Sequence, residues 1–428
     1  MTSETDVPAD IGALIVSPRA YASQRELLAG FDWLRRHKRL GRVQAEGFDP
    51  FWAVTRHADI VEVSRRHDLF NNSARSTALV PRAADELARA MSGGSPHLMR
   101  ALLQMDAPQH SRYRQITQSW FARQSIELLE PRIRHLAARA VEDMALRGST
   151  CEFVGDVALR FPLQVMIEIL GAPAEDAPLL LGLLRELLRS QDEAAIACDR
   201  PSRDPARHAR RLREAFTGFE KYFVPLMLER RKRPSGDLIS LIAAAEPGGE
   251  PIGQFEAVSY CMLLATAGYH TTASAISGAI WALCENTREF AKVKADPTLL
   301  PLLADEAVRW TTPAHHMMRT ATADTMIQGR HVSKGDWLML CYLSANRDDD
   351  VFADAARFQV GPDRSRNLAF GYGTHACLGQ HLARLEMRIF FDELFRRLGR
   401  IELAGVPRRM ASIFLGGPKT LPVKFAML

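Results

Sequence analysis

The sequence predicts a mainly α protein with minor β, organised as one domain. Three observations carry this. Apolar residues recur at helical spacing through most of the 428 residues. The segment from Ala257 to Cys284, between Glu256 and Glu285, holds no charge and is far longer than a strand. Strand-like text is confined to two places, 43–54 and 320–343.

In chain order, residues 1–18 read as an N-terminal tail outside the folded unit, acidic and small in composition, without a signal-peptide pattern. Residues 19–428 form the single domain. Amphipathic helices at 23–38 and 59–67 flank a strand pair turned at Gly47-Phe-Asp-Pro50. Helices follow at 109–121, 124–147, 156–170, 174–189 and 205–231, the last two separated by a polar stretch at 190–204. The long helix at 253–285 comes next, then helices at 287–294 and 299–310. The β region 320–343 turns at Gly329 and Gly335. An irregular segment, 348–367, leads to a glycine-rich loop and a helix running to about Leu398.

Composition bounds the function. With 47% hydrophobic and 25% charged residues the chain is large enough to enclose a cavity. A net charge of +5 without basic stripes argues against nucleic acid. The six cysteines show no paired spacing, which suits a reducing cytoplasm. The charge-free segment is long enough to span a membrane, but Ser259, His270, Thr271, Thr272, Ser274 and Ser277 interrupt it. No basic cluster orients it, so no membrane span is expected.

The most informative stretch is Phe370-Gly-Tyr-Gly-Thr-His-Ala-Cys-Leu-Gly-Gln380. Gly371, Gly373 and Gly379 crowd Cys377, letting backbone take left-handed angles and approach a flat ligand. A cysteine at a helix start is biased towards thiolate, the metal-ligating form. A buried structural cysteine and a zinc site of His375, Cys377 and His381 are the plainer readings. The zinc reading lacks a fourth ligand. The spacing Phe-x-x-Gly-x-x-x-Cys-x-Gly resembles the haem-binding signature of the cytochrome P450 family, and the order of segments resembles that fold from about Arg19 to Leu428.

The resemblance implies haem b, held between the long central helix and the cysteine-loop helix, with Cys377 as axial thiolate. It places Phe370, Gly371 and Gly379 against the haem and assigns its propionates to His110, Arg114, Arg319 and His375. In Ala267-Gly-Tyr-His-Thr271, Ala267 and Gly268 would open the helix for O2, although glycine costs a helix about 1 kcal/mol relative to alanine. Thr271 matches the alcohol of the family's proton-relaying acid–alcohol pair, and His270 stands where the acid is usual. An imidazole can shuttle protons near neutral pH, or can simply hydrogen-bond inside the bundle while Thr271 and water relay.

Glu306 and Arg309 match the internal Glu-x-x-Arg pair, a structural lock to be completed by Arg357 or Arg364. Asn346-Arg-Asp348 with Phe352 and Phe358 adds structural likeness. Family positions lining the substrate pocket fall on Leu263, Thr266, Ala267, Ala314, His315, His316, Met317, Phe414, Leu415 and part of 79–103. The implied reaction is insertion of one oxygen atom of O2 into a small lipophilic substrate, terpenoid-like favoured, steroid or fatty acid as alternatives. No flavin, nicotinamide or iron–sulfur motif is present. The resemblance therefore implies a separate ferredoxin with its reductase, docking near Arg112, Arg384 and Arg388. A peroxygenase using H2O2, and a haem-binding sensor or carrier without turnover, are the alternative functions. A monomer is expected.

Overall fold

The structure, a computed structural model, describes residues 6–189 and 205–428. The polar stretch expected at 190–204 lies outside these residues, as do the first five residues of the expected tail. From Asp6 onward that expectation is corrected. Asp6 bridges Arg42, the Val7 N–H donates to Arg42 O at 2.9 Å, and Ala9–Ile15 is helical with Ile15 buried. The cause is apolar: Ile11, Leu14 and Ile15 cover Tyr21, Leu27, Phe31 and Leu34, whose surface would otherwise be wet.

The expected helices are present with shifted ends. Text at 124–147 divides into Arg123–Glu127 and Glu130–Ala145, with Pro131 in the first turn of the second, where its missing N–H costs nothing. Besides Ala9–Ile15, further helices among the described residues escaped the sequence reading. Arg82–Ser92 buries no side chain, and Leu238–Ala243 is short, capped by Asp237 accepting from the Ser240 N–H at 2.7 Å.

The main sheet runs in the order Leu40–Val43, Phe51–Val54, Trp337–Cys341, His316–Ala321, Phe70–Asn71. The β region thus begins at His316 rather than Thr320. Near the C-terminus, Pro422–Met427 pairs antiparallel with both Leu398–Leu403 and Thr150–Glu152, a small sheet assembled from distant text.

The long helix, Gln254–Glu285, runs through the largest core. Its buried Ser277 hydroxyl is satisfied along the helix, donating to Ala273 O at 2.8 Å. No helix of the described residues is long and apolar enough to cross a membrane. The helix packs on Arg160–Leu170 and on Leu300–Thr311. The latter also packs on the helix after the cysteine, Gln380–Arg397.

Glu306 and Arg309 form a fully buried pair, with Arg309 Nε donating to Glu306 Oε2 at 2.6 Å and Nη2 to Oε1 at 2.7 Å. The remaining guanidinium donors reach the carbonyls of Asn346, Ala355 and Arg357, each at 2.8 Å. Arg364 completes the network with its side chain, 3.5 Å from Glu306 Oε2, whereas Arg357 supplies only its backbone. Asn346 ties this lock to the cysteine loop: its side chain accepts from the Leu368 N–H at 2.7 Å and donates to the Thr312 hydroxyl at 3.0 Å. Helix Leu300–Thr311 and the irregular segment are thereby held as one support beneath Cys377.

Candidate active site

One cavity, about 270 Å³ open to the centre of a water-sized sphere, lies between the long helix and the cysteine loop. Cys377 lines it, with its N–H donating to Phe370 O at 2.8 Å. The loop bends because Gly371 and Gly373 adopt φ of +68° and +72°. A side chain at Gly373 would also sit 2.6 Å from Ser64 O, so only glycine fits. Gly379 differs from expectation: its φ is −86°, and a Cβ there would meet nothing within 4 Å. It keeps the cavity wall thin.

Burial pushes the Cys377 thiol up, while the Gly379 N–H, Arg114 and Arg384 pull it down. Cys377 is nevertheless accessible from the open cavity, and a cation bound there would displace the proton.

His110, Arg114, Arg319 and His375, drawn from three distant segments, line the same cavity. The His110 and His375 rings lie 4.1 Å apart. Both nitrogens of His110 are buried without a partner, and burial with the neighbouring Arg114 pushes it down to about 4. His375 is depressed by burial and by Arg319. Arg319 is itself buried and donates to Met318 O at 2.8 Å. Such a cluster of donors and positive charge, with His110 unpartnered, fits a ligand bearing carboxylates against this wall. Haem, with its two propionates and an iron for Cys377, fits the donor set.

Leu263, Ala267, Gly268 and Thr271 line the cavity from the long helix. The helix is continuous here. The Thr271 hydroxyl donates to Ala267 O at 2.6 Å, and a Cβ at Gly268 would collide with the Met166 thioether. Close packing of helix Arg160–Leu170 thus accounts for the glycine. His270 lies off the cavity, its Nδ1 3.4 Å from the Ser274 hydroxyl. Thr266 also lies off it, its hydroxyl donating to Met262 O.

Ala314 and Met317 line the cavity, but His315, His316, Phe414 and Leu415 do not. The histidines are core residues: His315 stacks on Tyr21, and His316 Nε2 accepts from the Leu79 N–H at 2.9 Å. Phe414 packs edge-on against His316, and Leu415 pairs with Ala314 from behind. Within 79–103, Leu102 and Leu103 reach the cavity.

Burial pushes His315 down to about 4 and His316 to about 3. An unfolded histidine titrates near 6.5. On acidification the unfolded chain binds protons first, so this contribution is complete above pH 6.5 and is lost as pH falls towards 4. Between pH 7 and 5 the two together should cost about 4 kcal/mol. Thermal unfolding measured from pH 7 to 5 checks it, and His316→Gln should flatten the decline.

The sequence reading missed Glu386, which lines the cavity from the cysteine helix with Oε2 buried and unpartnered; burial holds it well above the carboxylate range. A glutamate within an apolar helical stripe was the available signal. Two expected docking arginines are already engaged, Arg384 with Asp305 at 2.8 Å and Arg388 with Glu130 at 2.7 Å, while Arg112 is exposed. No three potential metal ligands cluster among the described residues, which leaves the zinc reading without support. None of the five described cysteines is in a disulfide.

The family described as Cytochrome P450 matches residues 92–404. Cytochrome P450-terp of a Pseudomonas species is 40% identical over 427 residues, 99% of each chain. Steroid C26-monooxygenase of Mycolicibacterium smegmatis is 30% identical, covering 87% of each chain. Linalool 8-monooxygenase of Pseudomonas putida is 32% identical, covering 87% of this chain and 89% of the relative. Among solved structures, CYP108D1 from Novosphingobium aromaticivorans superposes with a TM-score of 0.91 at 38% identity, covering 99% of this chain and 100% of the other. With a cysteine loop facing the long helix across one cavity and likeness over the whole chain, the protein belongs to the cytochrome P450 family and is a monooxygenase.

Proposed function

We propose that Cys377 is the axial ligand of haem b and that the enzyme oxidises a small lipophilic substrate, terpenoid in class, with electrons from a separate ferredoxin and its reductase. The observation that carries the haem assignment is His110, buried with both ring nitrogens unpartnered on the cavity that Cys377 lines. Thiolate-ligated haem supplies the oxygen chemistry, since electron density from sulfur favours O–O cleavage. The chain's side chains set its limits. His110, Arg114, Arg319 and His375 would hold the propionates, and Leu263, Ala267, Ala314 and Met317 present an apolar wall to the substrate. Linalool 8-monooxygenase among the relatives supports a terpenoid, and the steroid enzyme at similar identity supplies the second candidate.

The dithionite-reduced, CO-saturated spectrum tests the ligand: the long-wavelength Soret band of thiolate ligation is expected, and a band at the imidazole position would overturn it. Spin-state titration with terpene alcohols, steroids and fatty acids then ranks substrate classes. Turnover with H2O2 alone, and none with ferredoxin, would instead indicate a peroxygenase.

Thr271 would hold a relay proton on its hydroxyl at the cavity wall, with His270 as the group that resupplies it from outside the cavity. Thr271→Ala should lower product formed per NADH about tenfold while NADH oxidation continues, a modest fraction of what a positioned proton donor contributes. His270→Ala should lower it less and make the ratio depend on pH differently. Unchanged coupling in His270→Ala would leave the relay to Thr271 and water.

A further inference from the structure

A second pocket, away from the active site, has a composition that neither haem nor substrate explains. It lies where the long helix, the end of Leu300–Thr311 and the C-terminal hairpin of Arg408–Arg409 with Pro418–Thr420 meet. Its volume is about 30 Å³ by the same measure as the main cavity. One water needs roughly 10–15 Å³ on that measure. The space therefore suits one small ion, with or without a water beside it.

Its polar lining is rich in donors and poor in acceptors. Arg347 is 7% exposed and directs two donors to Leu343 O and Trp310 O, at 3.3 and 2.8 Å. Arg409 lies over the Trp281 ring, 4.1 Å from its centroid. Among the described residues, neither guanidinium pairs with a carboxylate within 4 Å. The Thr311 hydroxyl is buried without a partner, and Gln24, held at φ +62°, also lines the pocket. The one carboxylate among the described residues of the pocket, Glu285, already accepts from Trp281 Nε1 at 2.7 Å. Glu285 is the acid whose charge favours Arg409. Around Arg347 the balance is positive: Arg309, Arg409 and Arg35 repel its charge, Glu306 attracts it, and with burial as the largest cause it is pushed down to about 9. Gly278 lets Thr311 pack against the long helix at the pocket wall, since a Cβ there would collide with the Thr311 hydroxyl.

We propose that this pocket binds a small monovalent anion, of chloride to formate size, between the guanidiniums of Arg347 and Arg409. An anion there would give the orphaned donors an acceptor and offset two neighbouring cations in a partly dry site. It would also pin the loop 410–417. That loop's Ile413 O meets His315 Nδ1 at 3.3 Å, and its Leu415 bridges Ala314 on the active-site wall. The assignment does not depend on the haem or substrate reading.

The test is the thermal midpoint of the purified haem-loaded enzyme, titrated with sodium chloride, formate or sulfate against gluconate at constant ionic strength. Chloride and formate should raise the midpoint saturably, as ligand linkage requires, while sulfate should not. Arg409→Gln, on the hairpin, should weaken the apparent anion affinity about tenfold or more, as loss of a charge-assisted partner does. Gln24→Ala serves as a second variant should the first fold poorly. Bromide-soaked crystals should show anomalous density between the two arginines. Equal salt responses in wild type and both variants, or bromide absent from the pocket, would overturn the site and leave a general salt effect.

Discussion

Cys377→Ser is expected to leave a folded chain that forms product at least about a thousandfold more slowly, a barrier increase of about 4 kcal/mol. The fold should survive because Cys377 lines the cavity, and the bond from its backbone N–H to Phe370 O does not involve sulfur. What would be lost is the proposed ligand. Serine is a hard, weakly acidic oxygen ligand and cannot supply the electron density a thiolate gives to iron. The Gly379 N–H, Arg114 and Arg384, which favour the anion at this position, would then act on a hydroxyl far harder to ionise. The reduced CO spectrum and product analysis check this together. A long-wavelength band with retained turnover in the serine variant would place the ligand elsewhere.

Arg309→Leu should be the most destabilising single change outside the cysteine loop, at about 5 kcal/mol or more. Breaking a buried ion pair by removing one partner costs about 3–5 kcal/mol. Here it also orphans the carbonyls of Asn346, Ala355 and Arg357, at about 1–3 kcal/mol for a group left buried and unsatisfied. Glu306 would keep the Gln359 N–H at 2.8 Å and Arg364 at 3.5 Å, short of what a buried carboxylate needs. Set against a typical total of about 5–15 kcal/mol, the loss threatens folding itself. Soluble yield, haem per protein and thermal midpoint should all fall. Arg309→Lys should rescue little, since an ammonium cannot reproduce the bidentate fork or reach three carbonyls. A lysine variant with normal haem content would mean that charge alone, not the fork, secures the segment.

Much of the site was legible in short-range text. His110 and Arg114 stand one helical turn apart and do face one cavity, and Gly371 and Gly373 do mark left-handed backbone. Leu263, Ala267, Thr271 and Ala275 follow at four-residue steps, and all line the cavity. The same periodicity puts Thr266, His270 and Ser274 on a neighbouring stripe. Leu264, Gly268 and Thr272 on the opposite flank do line the cavity, so the packing of the helix, not its period, excludes Thr266. His315 and His316 were harder, because their depth is set by Tyr21 and by the 410–417 loop, remote in sequence. The engagement of Arg384 and Arg388 was equally invisible, as it requires knowing that Asp305 and Glu130 lie alongside.

By itself the sequence determined the mainly helical class, the long central helix, the cysteine loop and the family to which they belong. Each follows from residue periodicity, backbone freedom or a motif within a few turns of chain. Only the tertiary structure decided that residues 6–18 belong to the folded unit and that Gly268 makes room for Met166. It also decided that Arg114 and Arg384 lie close to Cys377, and that two arginines share a small pocket behind the active site. Those outcomes depend on which surfaces meet across the chain and how far water is excluded between them, quantities that no local pattern encodes.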